Sequence, residues 1–253
     1  MNKTDLKEFL DEKLLVYNVP DFIASDPIQI PHRFTLKEDK EIASFLVSIM
    51  AWGKRSIIIN KGNELMAMMD EAPFDFVMNH TPKELQQLNK FKHRTLIADD
   101  FTFFIKSLQN IYKNKNGLES LFHIKPEEEN AFYALQRFRK VFFEIPHKPR
   151  SGKHIGDTAK KSAAKRLNMF LRWMVRDDKK VDIGIWKSIP KSKLSCPLDV
   201  HSGRVGRMLG LINSTQNNWK TVEELDGNLR EMNAKDPVIY DFALFGIGLY
   251  ENF

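Results

Sequence analysis

Cysteine is almost absent from this sequence, which holds a single one, Cys196, in 253 residues. One cysteine excludes an internal disulfide, a zinc site made of several cysteines and a cysteine-ligated iron–sulfur cluster. Most of the seven histidines show no metal-ligand spacing. The sequence therefore predicts no metal and no other cofactor.

Long apolar runs are missing as well. None approaches the roughly 18–20 residues that a membrane-spanning helix needs. The first 19 residues include Asp5, Glu8, Asp11 and Glu12, whereas a signal peptide has a basic start and an uncharged apolar middle. We therefore expect a protein of the reducing cytoplasm that has no membrane partner, and we expect a monomer.

Alternating runs that would indicate strands are few, whereas helical periodicity is common. Hydrophobic residues make up 42% of the chain, enough for a sizeable core, so we predict an all-α helical bundle. We treat residues 1–253 as one helical unit with two intimate subdomains, about 36–145 and 1–35 with 146–253. The clearest break is the segment 145–158, which is rich in proline and in basic residues.

Local signals place several helices in the N-terminal half. Periodicity predicts a first helix over residues 3–16, and two prolines predict a loop over residues 21–31. Thr35 and Glu38 have the spacing of a capping box, which predicts a helix start at Thr35. Pro126 and the glutamates that follow it predict the start of another helix.

Positive charge is concentrated in one part of the chain. Residues 147–207 contain 16 Lys and Arg against 5 Asp, whereas the remainder contains 23 basic and 28 acidic side chains. Such an uneven distribution favours a polyanionic partner, most simply nucleic acid. An ordinary solvated surface is the alternative. A second basic stretch has Trp52 beside Lys54 and Arg55, where contact with a base or a phosphate competes with a buried tryptophan.

The segment 162–176 is strongly helical and carries a lysine of interest. Its apolar residues share one face, while Lys165, Met169, Arg172 and Arg176 share the other. A partly desolvated lysine close to other cations is a usable amine nucleophile. An ordinary exposed lysine is the alternative, and periodicity does not choose between them.

Residues 195–211 contain a proline, a lone carboxylate and an amphipathic run that ends in glycine. Asp199 stands at a helix N-cap position, where its carboxylate can accept from the first turn. His201 and Arg204 follow on the same helix, where they are candidates for phosphate contact, and a core role for His201 is equally open. Asp241, in the last apolar segment, favours a buried hydrogen bond over catalysis.

Two of these segments resemble a known superfamily. Pro197-Leu-Asp-Val-His201, followed by Arg204-Val205, resembles the aspartate segment of helix-hairpin-helix DNA glycosylases. The stretch from Lys165 to Trp173 is similar to the catalytic-lysine helix of the archaeal 8-oxoguanine glycosylase branch, at a comparable spacing from the aspartate. Across nearly its whole length the chain also resembles a bacterial family of conserved proteins with a domain of unknown function.

The glycosylase resemblance implies a helix-hairpin-helix DNA glycosylase-like bundle that acts on damaged duplex DNA. It implies that Lys165 attacks the sugar C1′ of a flipped nucleotide and that Asp199 stabilises the developing cation. The sequence departs from the superfamily in having no Gly-Val-Gly-type turn before Lys165. That turn is the one through which the superfamily grips DNA phosphate.

Six of the residues named so far form a predicted nucleic-acid contact set, together with three further lysines. Its members are Trp52, Lys54, Arg55, Lys160, Lys161, Arg172, Lys193, His201 and Arg204. Two other readings stay open: a catalytically silent nucleic-acid-binding protein of the same fold, and a helical small-molecule enzyme or scaffold. Of these three interpretations, only the DNA glycosylase requires Lys165 and Asp199 to face one pocket.

Overall fold

The computed structural model describes residues 2–251 and is all-helical, as the periodicity predicts. Within this range it contains no β-strand and only two isolated bridges between single residues. The α-helices are α1 (Lys3–Tyr17), α2 (Asp21–Ala24), α3 (Gln29–His32), α4 (Lys37–Met50), α5 (Arg55–Met68), α6 (Pro73–Asn79), α7 (Pro82–Gln87), α8 (Ala98–Asn114), α9 (Gly117–Leu121), α10 (Phe132–Phe142), α11 (Lys165–Val175), α12 (Val200–Met208), α13 (Trp219–Met232) and α14 (Asp241–Tyr250).

The chain divides into two compact units. The first, which we call the lysine unit, comprises residues 1–22, 124–133 and 156–253, and the second comprises residues 23–123 and 134–155. Residues 23–35, 124–133 and 146–155 therefore belong to different units from those that the sequence suggested. Within residues 2–251, no helix combines the length and the apolar character that crossing a membrane requires.

One predicted loop and two predicted helix starts are wrong. Residues 21–31 include α2 and most of α3, because Pro31 lies in the first turn of α3, where its missing N–H is not needed. The N-cap of α4 is Leu36 rather than Thr35, and it has no side-chain cap. The helix expected from Pro126 begins only at Phe132, because Glu128 caps a separate turn by accepting from the backbone N–H of Lys125.

The second unit is built around α4, whose residues 41–50 are all buried. An aromatic cluster packs against this helix. Phe45 of α4 lies 5.6 Å from Phe138 and 5.3 Å from Phe142, measured between ring centroids, and Phe142 continues the cluster to Phe104 of α8. Burial of these large rings supplies the apolar core of the unit.

The lysine unit is centred on α14, which packs against α12 and α1. Glycines allow this close approach. A Cβ added at Gly246 would collide with the Tyr17 ring of α1, and one added at Gly248 would lie 2.8 Å from the His201 Cβ of α12. The C-terminal helix thus fixes the orientation of α12, whose first residue follows Asp199.

Candidate active site

A tight turn sets where the lysine helix begins. The carbonyl oxygen of Asp157 accepts from the backbone N–H of Ser162 at 3.0 Å. Ala164 then has a φ of +46°, a left-handed conformation that interrupts the chain before the helix. Gly156 lies beneath this turn, where an added Cβ would come within 2.9 Å of the Ala164 Cα. Lys165 is therefore the first residue of α11, so its side chain projects from the start of the helix.

Asp199 is confirmed as the N-cap of α12. One carboxylate oxygen, Oδ1, accepts from the backbone N–H groups of His201 and Ser202 at 2.8 and 2.9 Å. The Ser202 hydroxyl accepts in return from the backbone N–H of Asp199 at 2.8 Å, which completes a capping box. These contacts occupy Oδ1 and hold the carboxylate rigidly, because they satisfy donors that the first turn leaves free.

The second oxygen of the same carboxylate faces the lysine. Lys165 Nζ lies 3.3 Å from Asp199 Oδ2, and the two side chains are 34% and 11% exposed. The structure thus brings together the two residues that the sequence selected as nucleophile and carboxylate. An amine that is one-third exposed beside a fixed carboxylate is accessible to a substrate and lies within proton-transfer reach of that carboxylate.

A buried ion pair lies behind this contact. The guanidinium of Arg172, two turns along α11, pairs with the Asp241 carboxylate at the start of α14. It also donates through Nε to Asp182 at 3.2 Å. Arg172 is 6% exposed, so its guanidinium is buried and paired with these two carboxylates. Its predicted contact with nucleic acid does not fit this placement, and the prediction of a buried hydrogen bond for Asp241 is confirmed.

Burial shifts the pKa values of the groups around this pair. Desolvation, opposed by the Arg172 charge and reinforced by the Asp199 charge, raises the pKa of Asp241 to about 6. Burial likewise raises the pKa of Asp226 to about 6. The Cys196 thiol lies between these carboxylates, and burial with their two charges raises its pKa well above the usual range. The thiol is therefore protonated at neutral pH.

Arg176 anchors the other end of α11. It is fully buried and pairs with three carboxylates, those of Asp178, Asp182 and Asp236. Of the cations on the face predicted for α11, only Lys165 is partly exposed, whereas Arg172 and Arg176 are buried. The helical periodicity of this segment could not predict their burial, because the carboxylates that pair with them come from other segments of the chain.

The remaining predicted contacts of the lysine unit are more accessible. Lys160 and Lys161 are exposed. Lys193 donates to the carbonyl oxygens of Lys125 and Pro126 at 2.9 and 2.8 Å, which ties it to a turn of its own unit.

Two predicted contact residues on α12 share a partner on α14. The Gly248 carbonyl oxygen lies 2.8 Å from His201 Nδ1 and accepts from Arg204 at 2.7 Å. His201 is thereby fixed against α14, which supports its structural role.

The other three predicted contacts lie in the second unit. Trp52 is 50% exposed, so the alternative of a buried tryptophan is wrong. The Arg94 guanidinium stacks over the Trp52 ring at 4.3 Å, and sequence reasoning missed it because it lies on a distant turn. Lys54, two residues after Trp52, is exposed. Arg55 instead pairs with a carboxylate of its own unit, with its Nε 3.7 Å from Asp26 Oδ2.

Among residues 2–251, no group of three or more His, Cys, Asp or Glu side chains is arranged to hold a metal ion. The candidate site consists of an amine, a carboxylate and the buried ion pair behind them.

Two substitutions at Asp199 separate its contacts. In Asp199→Asn the amide oxygen can still accept from the first turn of α12, whereas Asp199→Ala removes the cap altogether. We expect the alanine variant to lose about 0.5–2 kcal/mol in free energy of unfolding and the asparagine variant to lose less. Urea denaturation followed by circular dichroism measures this difference. Equal stabilities of the two variants would contradict the capping role.

Comparison with known proteins found no match among curated proteins or solved structures. The relationship to helix-hairpin-helix glycosylases therefore stays a prediction, while the predicted membership of a family of unknown function is confirmed. Residues 26–250 match the model of the family described as "Protein of unknown function (DUF2400)", and because this match covers most of the chain, the protein belongs to that family.

Proposed function

We propose that this protein is a DNA base-excision glycosylase with lyase activity, of the helix-hairpin-helix glycosylase-like fold. The observation that carries the proposal is the 3.3 Å contact between Lys165 Nζ and Asp199 Oδ2. An amine nucleophile at a helix start beside a carboxylate fixed as a helix cap is the pair that such chemistry needs. The resemblance of both segments to helix-hairpin-helix glycosylases, and of the lysine segment to the archaeal 8-oxoguanine branch, supports the same interpretation.

The reaction begins when the target nucleotide leaves the duplex, which costs a few kcal/mol. Neutral Lys165 attacks the sugar C1′ and forms a new C–N bond while the bond from C1′ to the base breaks. The base departs with the electron pair of that bond and takes up a proton. The Asp199 carboxylate stabilises the positive charge that develops on the sugar.

The covalent product then becomes a Schiff base. The nitrogen that has bonded to C1′ gives one of its two protons to the departed base. When the bond from C1′ to the ring oxygen breaks, that oxygen takes up a proton from solvent, and the nitrogen keeps its last proton in a protonated Schiff base. The Schiff base allows loss of the proton at C2′ and departure of the 3′ phosphate, which cleaves the strand by β-elimination. We assign these proton transfers to Asp199 Oδ2, which lies 3.3 Å from Lys165 Nζ.

We assign DNA contact to accessible members of the predicted set. In the lysine unit these are Lys160, Lys161 and Arg204, and in the second unit they are Trp52 and Lys54. A half-exposed tryptophan offers a stacking surface for a base, and lysines neutralise phosphates. The segment before Lys165 is a turn closed on Asp157 rather than a Gly-Val-Gly hairpin, so phosphate contact here depends more on side chains.

Borohydride trapping tests the proposal. The full-length protein is incubated with duplexes that carry an oxidised purine, an oxidised pyrimidine, an abasic site or no lesion, and sodium borohydride is then added. We expect a stable protein–DNA adduct with at least one damaged duplex and none with the undamaged one. If none of the duplexes forms an adduct, the lyase chemistry is refuted.

The second candidate is a catalytically silent nucleic-acid-binding protein of the same fold. The concentration of positive charge in residues 147–207 favours it. Binding that weakens steeply with salt, without any adduct, is the result that this candidate predicts. Salt-insensitive or absent binding would count against both candidates.

A further inference from the structure

The buried Asp241 carboxylate links the two segments that carry the candidate active site. Its Oδ2 pairs with Arg172, which lies on α11 two turns after Lys165. Its Oδ1 accepts from the Cys196 thiol, with Sγ and Oδ1 3.6 Å apart. Cys196 stands just ahead of Asp199 in the chain. One carboxylate from α14 therefore holds both the lysine helix and the approach to the helix cap.

A second buried carboxylate holds the same approach from its other side. The backbone N–H of Cys196 donates to Asp226 Oδ1 of α13 at 2.8 Å. Cys196 is fully buried and Asp241 is 4% exposed. Fixed contacts at both the backbone and the side chain leave this segment little freedom, so the position of Asp199 depends on both α13 and α14.

We propose that Asp241 is a positioning residue that sets the separation between Lys165 Nζ and the Asp199 carboxylate by joining Arg172 to Cys196. The inference rests on the proposed function for its catalytic consequence. Its structural part stands on the contacts alone. Asp241 touches neither reacting group, and it acts through the residues that it holds.

The first test is Asp241→Asn in the full-length protein, which keeps the shape of the side chain but removes its charge. Loss of the ion pair with Arg172 lets α11 and the Cys196 segment move apart. A misplacement of about 1 Å costs on the order of a hundredfold in rate. We expect trapping to slow by about that factor, while the dissociation constant for the same duplex stays within about twofold.

The pH dependence of trapping gives a readout that a merely structural role would not change. The charged and titratable groups that face Asp241 are Arg172, Cys196, Asp199 and Lys165. Since its pKa is about 6, Asp241 protonates as the pH falls below that value, and its ion pair with Arg172 weakens. The wild-type rate should therefore fall more steeply below about pH 6 than above it. This break should be clearly weaker in Asp241→Asn, in which Asp226 still titrates near pH 6.

The chain also provides a test that needs no activity. Cys196 is its single thiol, so labelling with a disulfide reagent reports on this segment alone. We expect slow labelling in the wild type and labelling at least about tenfold faster in Asp241→Asn. Asp177→Asn removes an exposed carboxylate of the same unit, which pairs with Lys187, and should leave the labelling rate unchanged.

A double variant guards against misfolding of the single one. Arg172→Met with Asp241→Leu replaces the pair by apolar side chains, a change that buried ion pairs often tolerate without loss of stability. It should trap slowly and label quickly. Trapping at the wild-type rate in either folded variant would overturn the proposal, and so would unchanged labelling. If the wild type forms no adduct, the proposed function fails, but labelling still decides whether Asp241 holds the segment.

Discussion

Replacing Lys165 with alanine is expected to abolish the covalent adduct with damaged DNA and to lower base release by at least about 10³-fold. Loss of a covalent nucleophile can cost roughly 10⁶-fold, so this value is a lower bound. The reason is local. Lys165 supplies the amine that lies 3.3 Å from Asp199, and alanine has no atom that can bond to C1′. Borohydride trapping and release of the excised base measure the two losses separately.

The specificity of that result needs a matched control. Lys220 is an exposed lysine on α13 of the same unit, and Lys220→Ala removes one positive charge without touching the site. We expect it to trap at the wild-type rate. An adduct that survives Lys165→Ala would show that another amine is the nucleophile. Mass spectrometry of the trapped peptide would then identify that amine.

Local sequence signals were sufficient for part of this site. The Asp199 cap follows from its place after a proline and before an amphipathic run, because capping depends on neighbouring residues only. The helix that carries Lys165 follows from its apolar periodicity. The contact between the two depends on tertiary packing, and only the resemblance of both segments to one superfamily suggested it.

The charged residues behind the site show where local reasoning stops. Arg172 was predicted to contact nucleic acid because it shares the cationic face of its helix with Lys165, opposite the apolar face. The structure buries it between Asp182 and Asp241. No local pattern shows this, since the two carboxylates come from a loop and from the last helix. The same holds for Arg94, whose partner Trp52 lies far from it in the chain.

The largest effect on stability is expected at Arg176. Arg176→Met should lower the free energy of unfolding by about 3–5 kcal/mol, because it leaves Asp178, Asp182 and Asp236 close together without their shared cation. For a chain of this length such a loss lowers the melting temperature by on the order of 10 °C. Thermal and urea denaturation measure it.

The acid side of the stability profile gives an independent check. Burial alone would raise the pKa of Asp178, but the Arg176 charge and hydrogen bonds lower it overall. A carboxyl whose pKa is lower in the folded state adds stability above its unfolded pKa, and this stability is lost as the pH falls through the folded value. Wild type should therefore lose stability at acid pH, and Arg176→Met should lose less over the same range.

An exposed ion pair from the same segment separates burial from charge. Lys187 pairs with Asp177, and both side chains are largely exposed, so Lys187→Met should cost no more than about 1 kcal/mol. Both variants remove one cation, and they differ in whether the carboxylates left behind can reach water. A large loss for Arg176→Met alone would therefore mean that its carboxylates remain buried without the charge of Arg176. Equal small losses would mean that they reach water, and α11 would then owe its position to apolar packing.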